Sequence, residues 1–257
     1  MNGTAAGYEK TFPFESKLIL NPGAGNEKRV MNVFCFHHAG GTAASYRKWT
    51  TKLMPVRIIC VELMGKGTRR GEPFIGNSKM LAQTLAQQIL AKTGSEPFCL
   101  FGHSMGAALA FEVCCILERL YGVRPEKLIV AGRQAPQDEN FSEFKTYMDD
   151  QALIEELRRY QLTPEAVLQN EQFMSYYLPE IRRDYQLNES FCYNGERTDV
   201  PVIAHSAIKD AGADKKMMKR WKEVTTNHFE IREFKGNHFF VLEDESYLAG
   251  LVEDVMK

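Results

Sequence analysis

The stretch Gly102-His103-Ser104-Met105-Gly106 constrains this chain more than any other. It fits the pattern G-x-S-x-G and sits between two runs of different character. Upstream, Pro97-Phe98-Cys99-Leu100-Phe101 is short, apolar and aromatic, and reads as a strand. Downstream, Ala107 to Tyr121 carries Ala, Leu and Glu and stops at Gly122, so it reads as a helix. A serine on so tight a corner is forced into a strained backbone, and glycines two positions either side let strand and helix close together. The corner lifts the hydroxyl clear of the sheet, and the helix N-terminus behind it favours negative charge. An ordinary βα turn with a helix-capping serine would share the pattern, but the strand–turn–helix setting favours a nucleophile.

The rest of the chain supplies the matching scaffold. Strand candidates are Met31–Phe36, Arg57–Leu63, Phe98–Phe101, Lys127–Ala131, Val200–Ala204 and Glu230–Phe234. Helix candidates are Ala43–Leu53, Ser78–Lys92, Met105–Tyr121, Lys215–Val224 and Ser246–Met256. The second shows Leu81, Leu85, Ile89 and Leu90 near helical spacing, with Gly94 to stop it. Such alternation implies right-handed βαβ units and a mainly parallel sheet with helices on both faces, an α/β fold. At 257 residues the chain can bury one full core, so residues 1–257 read as a single domain.

Alternation breaks at about 138–194, where helical patterns follow one another without a strand. Asp149 or Asp150 can cap the segment bearing Leu153, Ile154 and Leu157. Thr163-Pro164-Glu165 reads as an N-cap with proline first in the helix. Gln172 to Ser190 carries Phe173, Tyr176, Tyr177, Leu178, Ile181 and Tyr185, interrupted at Pro179. A helical insertion there lies above the carboxyl edge of the sheet, where Ser104 points, and reads as a lid in preference to a helical subdomain that only thickens the fold.

Composition excludes several classes. The formal net charge is −1, without the basic excess that nucleic-acid binding calls for. The 6 cysteines mostly lie in apolar runs, with no C-x-x-C pair, and read as reduced, buried side chains rather than a disulfide frame or zinc site. Met1 to Ser16 lacks a signal-peptide core, and no run approaches the ~18 apolar residues of a membrane span. A soluble, cytoplasmic protein is expected.

A serine hydroxyl needs a base within hydrogen-bond reach, and the base needs an acid to hold its tautomer. The expected chain order is Ser, acid, His. His238, in Gly236-Asn237-His238-Phe239-Phe240 after the last strand, is the candidate base. Asp210 stands at the turn after the preceding strand; Asp214, one helical turn later, is the weaker candidate and suits a helix cap. An oxyanion hole needs two backbone N–H donors. Met105, after the nucleophile, supplies one; Ala39, in Phe36-His37-His38-Ala39-Gly40-Gly41, supplies the other. Gly65-Lys66-Gly67 lacks P-loop spacing and reads as a turn beside the site.

These residues match a known family. The chain resembles the stand-alone type II thioesterases that accompany polyketide and nonribosomal peptide synthetases, enzymes of the α/β-hydrolase fold. The likeness runs from about Val33 onward and rests on several motifs. They are Cys35-Phe36-x-His38-Ala39-Gly40-Gly41, Trp49, Phe101 to Gly106, Tyr177-Leu178-Pro179-x-x-Arg182-x-Asp184-Tyr185, Asp210, Trp221 and Gly236-x-His238-Phe239-Phe240. His37, Met64, Lys66 and Asn237 depart from the family's usual residues, and Lys66 lacks the bidentate fork of the arginine found there.

The resemblance implies hydrolysis of acyl groups from the phosphopantetheine arm of an acyl or peptidyl carrier protein, for editing or release. It implies a monomer, without metal or redox cofactor. By their helical spacing Phe173, Tyr176 and Tyr177 are candidate substrate-binding residues of the lid, or else all three belong to its core. Lys66, Arg69 and Arg70, with Arg182 and Arg183, read either as a docking face for an acidic carrier or as ordinary solvated surface. A carboxylesterase or lipase, an acyltransferase, or a silent binding protein on the same scaffold are the rivals.

Overall fold

Short apolar runs pair side by side in the computed structural model, which describes residues 9–16, 30–52, 55–138 and 145–257. The strands are β1 (Phe14–Glu15), β2 (Met31–Phe36), β3 (Val56–Cys60), β4 (Phe98–His103), β5 (Lys127–Ala131), β6 (Val202–Ala207) and β7 (Phe229–Phe234). They form one sheet in the order β1-β3-β2-β4-β5-β6-β7. β1 pairs antiparallel with β3, and every other neighbour pair is parallel. β4 and β6 are buried along their whole length. A strand covered on both faces favours apolar residues, and the buried polar exceptions here are His103 at the end of β4 and His205 and Ser206 in β6.

Helices cover both faces. On one side α2 (Ser78–Thr93) and α3 (Met105–Tyr121) turn Leu81, Leu85, Ile89, Leu109, Val113 and Leu117 toward the sheet. Each such burial contributes roughly 1.5–3 kcal/mol against an extended chain, an upper bound. Asn77 starts α2 by accepting from the Met80 N–H, and Gly122, left-handed at φ 63°, ends α3. On the other side a 3-10 turn (Ala43–Tyr46) runs into α1 (Arg47–Thr50), and α9 (Tyr247–Met256) closes the chain. Tyr46, Trp49, Phe101 and Tyr247 pack there as one aromatic group.

Between β5 and β6 lie α4 (Asp150–Tyr160), α5 (Glu165–Leu168) and α6 (Glu171–Glu189). They carry their own apolar cluster of Leu153, Leu168, Met174, Leu178, Ile181 and Tyr185. Asp149 caps α4, as one of the two candidates. Pro164 is itself the cap residue of α5 rather than its first helical residue. Pro179 lies inside α6 without ending it.

The remaining differences are local. The Arg57–Leu63 expectation shortens to Val56–Cys60, since Val61 and Leu63 are buried beyond the ladder. The Ala43–Leu53 segment splits into the 3-10 turn and α1, and Leu53 lies outside the described residues. Lys215–Val224 divides into α7 (Lys215–Lys219) and a 3-10 turn. β1 and the short α8 (Phe240–Glu243) carry no periodic signal at their length. Five cysteines are buried, and Cys192 is exposed. Among the described residues, no helix is long and apolar enough to cross a membrane.

Candidate active site

The strand order turns around between β2 and β4, so the loops after these two strands face each other across a crevice. Their ends are level, with Phe36 opposite Gly102. Ser104 sits at the start of α3 with φ 55° and ψ −119°, one of two non-glycine residues with positive φ among those described. A Cβ on Gly102 would stand 2.2 Å from the Gly106 carbonyl oxygen, and one on Gly106 would stand 2.2 Å from that of Phe36. Only glycine fits either place, which explains the spacing of the motif.

β6 and β7 end level as well, with Ala207 opposite Phe234. The loops beyond them bring Asp210 and His238 to the serine. His238 Nε2 lies 3.1 Å from Ser104 Oγ, and His238 Nδ1 lies 2.8 Å from Asp210 Oδ2. The second Asp210 oxygen accepts from the Gly212 N–H at 3.1 Å. Burial pushes the Asp210 carboxyl up, but His238, His103 and the Gly212 N–H outweigh it and hold the pKa below the usual range. An ionised Asp210 fixes the His238 proton on Nδ1 and leaves Nε2 free to accept from the serine. Asp214 instead caps α7 through the Met217 N–H.

Two further rings hold the histidine. His103 Nε2 donates to the His238 carbonyl at 2.9 Å; burial drops the His103 pKa to about 3, so its ring is neutral. The Tyr160 ring stands 4.9 Å from that of His238. Sequence reasoning missed both roles. His103 was visible inside the motif, but Tyr160 comes from α4 and has no local signal.

The loop after β2 is clamped by the helices above it. Asp184, fully buried on α6, accepts from the Gly40 N–H at 2.7 Å and forms an ion pair with Lys66. Burial pushes the Asp184 carboxyl up, against the pull of Lys66 and of the Gly40 N–H. The Tyr177 hydroxyl donates to the Gly40 carbonyl at 3.2 Å. Both polar groups of Gly40 are therefore held by α6, next to Ala39.

A cavity of about 450 Å³ opens on Ser104 and His238 and is lined by Ala39, Met105 and Tyr177 among others. Phe173 and Tyr176 do not line it. They are 47% and 75% exposed, because they lie on the face of α6 turned away from its apolar cluster. The docking expectation needs correction too. Lys66 and Arg69 are buried, the first against Asp184 and the second against Glu72 and Gln88. Arg70 is exposed and pairs with Glu180, while Arg182 reaches Asp150 and the Met148 carbonyl.

The sheet, the elbow and the Ser–His–Asp chain define an α/β-hydrolase. The chain belongs to the Thioesterase domain family, whose profile matches residues 31–257, and is a hydrolase of thioesters. It is 31% identical over 255 residues to linear gramicidin dehydrogenase LgrE of Brevibacillus parabrevis, covering 97% of this chain and 96% of that one. It is 33% identical over 233 residues to thioesterase PikA5 of Streptomyces venezuelae, covering 88% and 80%. The solved type II thioesterase BorB, from the borrelidin biosynthetic cluster, superposes with a TM-score of 0.78 at 30% identity, covering 91% and 96%.

Proposed function

We propose that this chain is a stand-alone thioesterase of a secondary-metabolite synthetase, removing acyl groups from the phosphopantetheine arm of carrier proteins. The observation that carries this reading is the hydrogen-bonded chain Ser104–His238–Asp210 at a cavity, in a member of the thioesterase family. The names of solved relatives add the setting: YbtT is a type II thioesterase from the yersiniabactin NRPS/PKS pathway, and ClbQ comes from the colibactin NRPS/PKS pathway. LgrE is named a dehydrogenase, but a serine bonded to a histidine is equipment for acyl transfer rather than hydride transfer.

Ser104 Oγ attacks the thioester carbonyl while its proton passes to His238 Nε2. Asp210 keeps the imidazole oriented and stabilises the imidazolium. The Ala39 and Met105 N–H groups hold the oxyanion. The tetrahedral intermediate collapses, and the thiolate leaves with the proton from His238. Water then gives a proton to His238 and attacks the acyl-serine; the acid departs and Ser104 regains its proton. The helices of about 138–194 act as a lid on the single domain, and Tyr177 borders the acyl chamber. No metal or redox cofactor takes part, and the enzyme works in the cytoplasm as a monomer beside its synthetase.

Incubation with a panel of acyl-loaded carrier proteins, read by intact mass, tests the substrate. Deacylation that outpaces hydrolysis of oxygen esters of the same acyl group is expected. Faster turnover of the oxygen esters would instead favour a carboxylesterase.

A further inference from the structure

The proposed hydrolysis leaves Arg133, a charged residue of the cavity wall, without a task. Arg133 follows Gly132 just beyond the carboxyl end of β5 and lines the same cavity as Ser104. It keeps some accessible area although protein surrounds it, so that area faces the cavity. Three contacts hold it in place. Nη1 donates to Asn188 Oδ1 at the end of α6 at 2.6 Å, and the guanidinium carbon stands 5.3 Å from the Phe191 ring centroid. The Arg133 carbonyl accepts the Trp221 indole N–H at 2.7 Å, which pins the backbone.

What Arg133 lacks is a counter-ion. Among the described residues, no carboxylate forms an ion pair with it. The two carboxylates of the cavity wall are already engaged, Asp138 with Arg220 and Asp210 with His238. Glu112 acts on it only at a distance, and burial lifts that carboxyl to about 7, so it is part-neutral at physiological pH. Burial also lowers Arg133 itself to about 10, which still leaves it a cation. An uncompensated buried cation is costly to keep. A guanidinium presents five donors in a fork that matches a carboxylate, and one of them is used here.

We propose that Arg133 is an acyl-chain subsite that binds an anionic oxygen of the substrate. The enzyme then favours thioesters whose acyl chain ends in a carboxylate over plain alkyl chains of equal length. This rests on the thioesterase reading of Ser104. A phosphate on the pantetheine arm offers the same chemistry, but Arg133 packs on the apolar ring of Phe191, which lines the cavity of Ser104 with it. That wall suits the acyl end of the substrate.

The test is kcat/KM on matched acyl-pantetheines: glutaryl against pentanoyl, and adipoyl against hexanoyl. The unsubstituted protein should favour the carboxylated member of at least one pair by roughly 10- to 100-fold, the range of a hydrogen bond between charged groups. Arg133→Met keeps the apolar packing on Phe191 and removes the charge; it should lower that ratio by about 10-fold or more, and Arg133→Lys should restore part of it. Preference for the alkyl chain in the unsubstituted protein overturns the proposal without any variant. A ratio that survives Arg133→Met overturns it as well. So does a loss confined to acyl-coenzyme A relative to acyl-pantetheine and equal for all acyl groups, which would assign Arg133 to the phosphate. Failure on every thioester would sink the thioesterase reading together with the subsite, whereas failure on the carboxylated ones alone sinks only the subsite.

Discussion

At the scale of single residues, each side chain of the site answers to a different neighbour, and the variants separate accordingly. Ser104 accepts no role in capping α3, so its loss leaves the helix start unchanged. Ser104→Ala should fold with an unaltered melting temperature and lose hydrolysis by on the order of 10⁴–10⁶-fold. Near-normal turnover in the purified variant would remove the serine from the mechanism. Asp210 and Asp214 are four positions apart and make opposite cases. Asp210→Asn keeps the shape of the bond to His238 but favours the wrong tautomer, and turnover should drop about 10⁴-fold. Asp214→Ala removes the cap on the Met217 N–H and should cost about 1 kcal/mol of stability with little change in kcat. A greater loss of turnover at Asp214 would overturn the assignment of the acid.

At the scale of elements, α6 does more than cover the cavity. Through Asp184 and Tyr177 it grips both polar groups of Gly40, beside the proposed oxyanion donor Ala39. The Lys66–Asp184 pair is buried, so removing one partner strands the other. Asp184→Leu alone should destabilise the protein by about 3–5 kcal/mol. Combining it with Lys66→Met removes both charges and should restore most of that stability. Turnover should stay low, by roughly 10- to 100-fold, because the Gly40 N–H is no longer held and the oxyanion loop loses its fixed geometry. The loss should fall on kcat rather than KM, and a trifluoromethyl ketone analogue of the tetrahedral intermediate should bind more weakly. Full recovery of kcat with stability would make the clamp purely structural.

At the scale of the whole molecule, four buried histidines set the response to acid. Burial lowers His37 and His103 to about 3, His38 well below its ordinary value, and His205 below it too. The unfolded chain takes up protons on these rings below about pH 6.5, while His37, His38 and His103 stay neutral in the fold and His205 takes up its proton less readily than in the unfolded chain. On these rings the unfolded state therefore binds more protons in this window, and their contribution to stability falls as pH falls; Glu112, lifted by burial to about 7, and the raised Asp184 carboxyl work the other way and offset part of that loss. His37 and His103 should each contribute a loss of about 2 kcal/mol at pH 5 relative to neutrality. Asp254, held below the usual carboxylate range, adds to the loss only below about pH 4: burial alone would raise it, but His205, Lys257 and Arg232 outweigh that. The melting temperature should drop steadily between pH 7.5 and 5, and a flat profile there would mean that these rings are protonated in the fold.

Periodicity and turn chemistry act over a few residues, so they were legible in the chain. The six longer strands, α2, α3 and the G-x-S-x-G corner all carry local signals of that kind. Ser104, Asp210 and His238 could be singled out because each follows a strand end in a fixed chain order. Environment is another matter, because it is set by contacts between residues far apart in sequence. Lys66 looks like a surface cation in its glycine-rich turn, yet it is buried against Asp184, 118 positions away. Phe173 and Tyr176 share the helical spacing of Tyr177, and only the packing of α6 turns one toward the cavity and two toward solvent. Tyr160 over His238 and Arg133 without a counter-ion have no signature in the chain at all. The sequence by itself determined which backbone elements form and where the reactive side chains can stand. The tertiary structure alone decided which charges are buried and which faces meet, because burial and pairing depend on the whole packed chain.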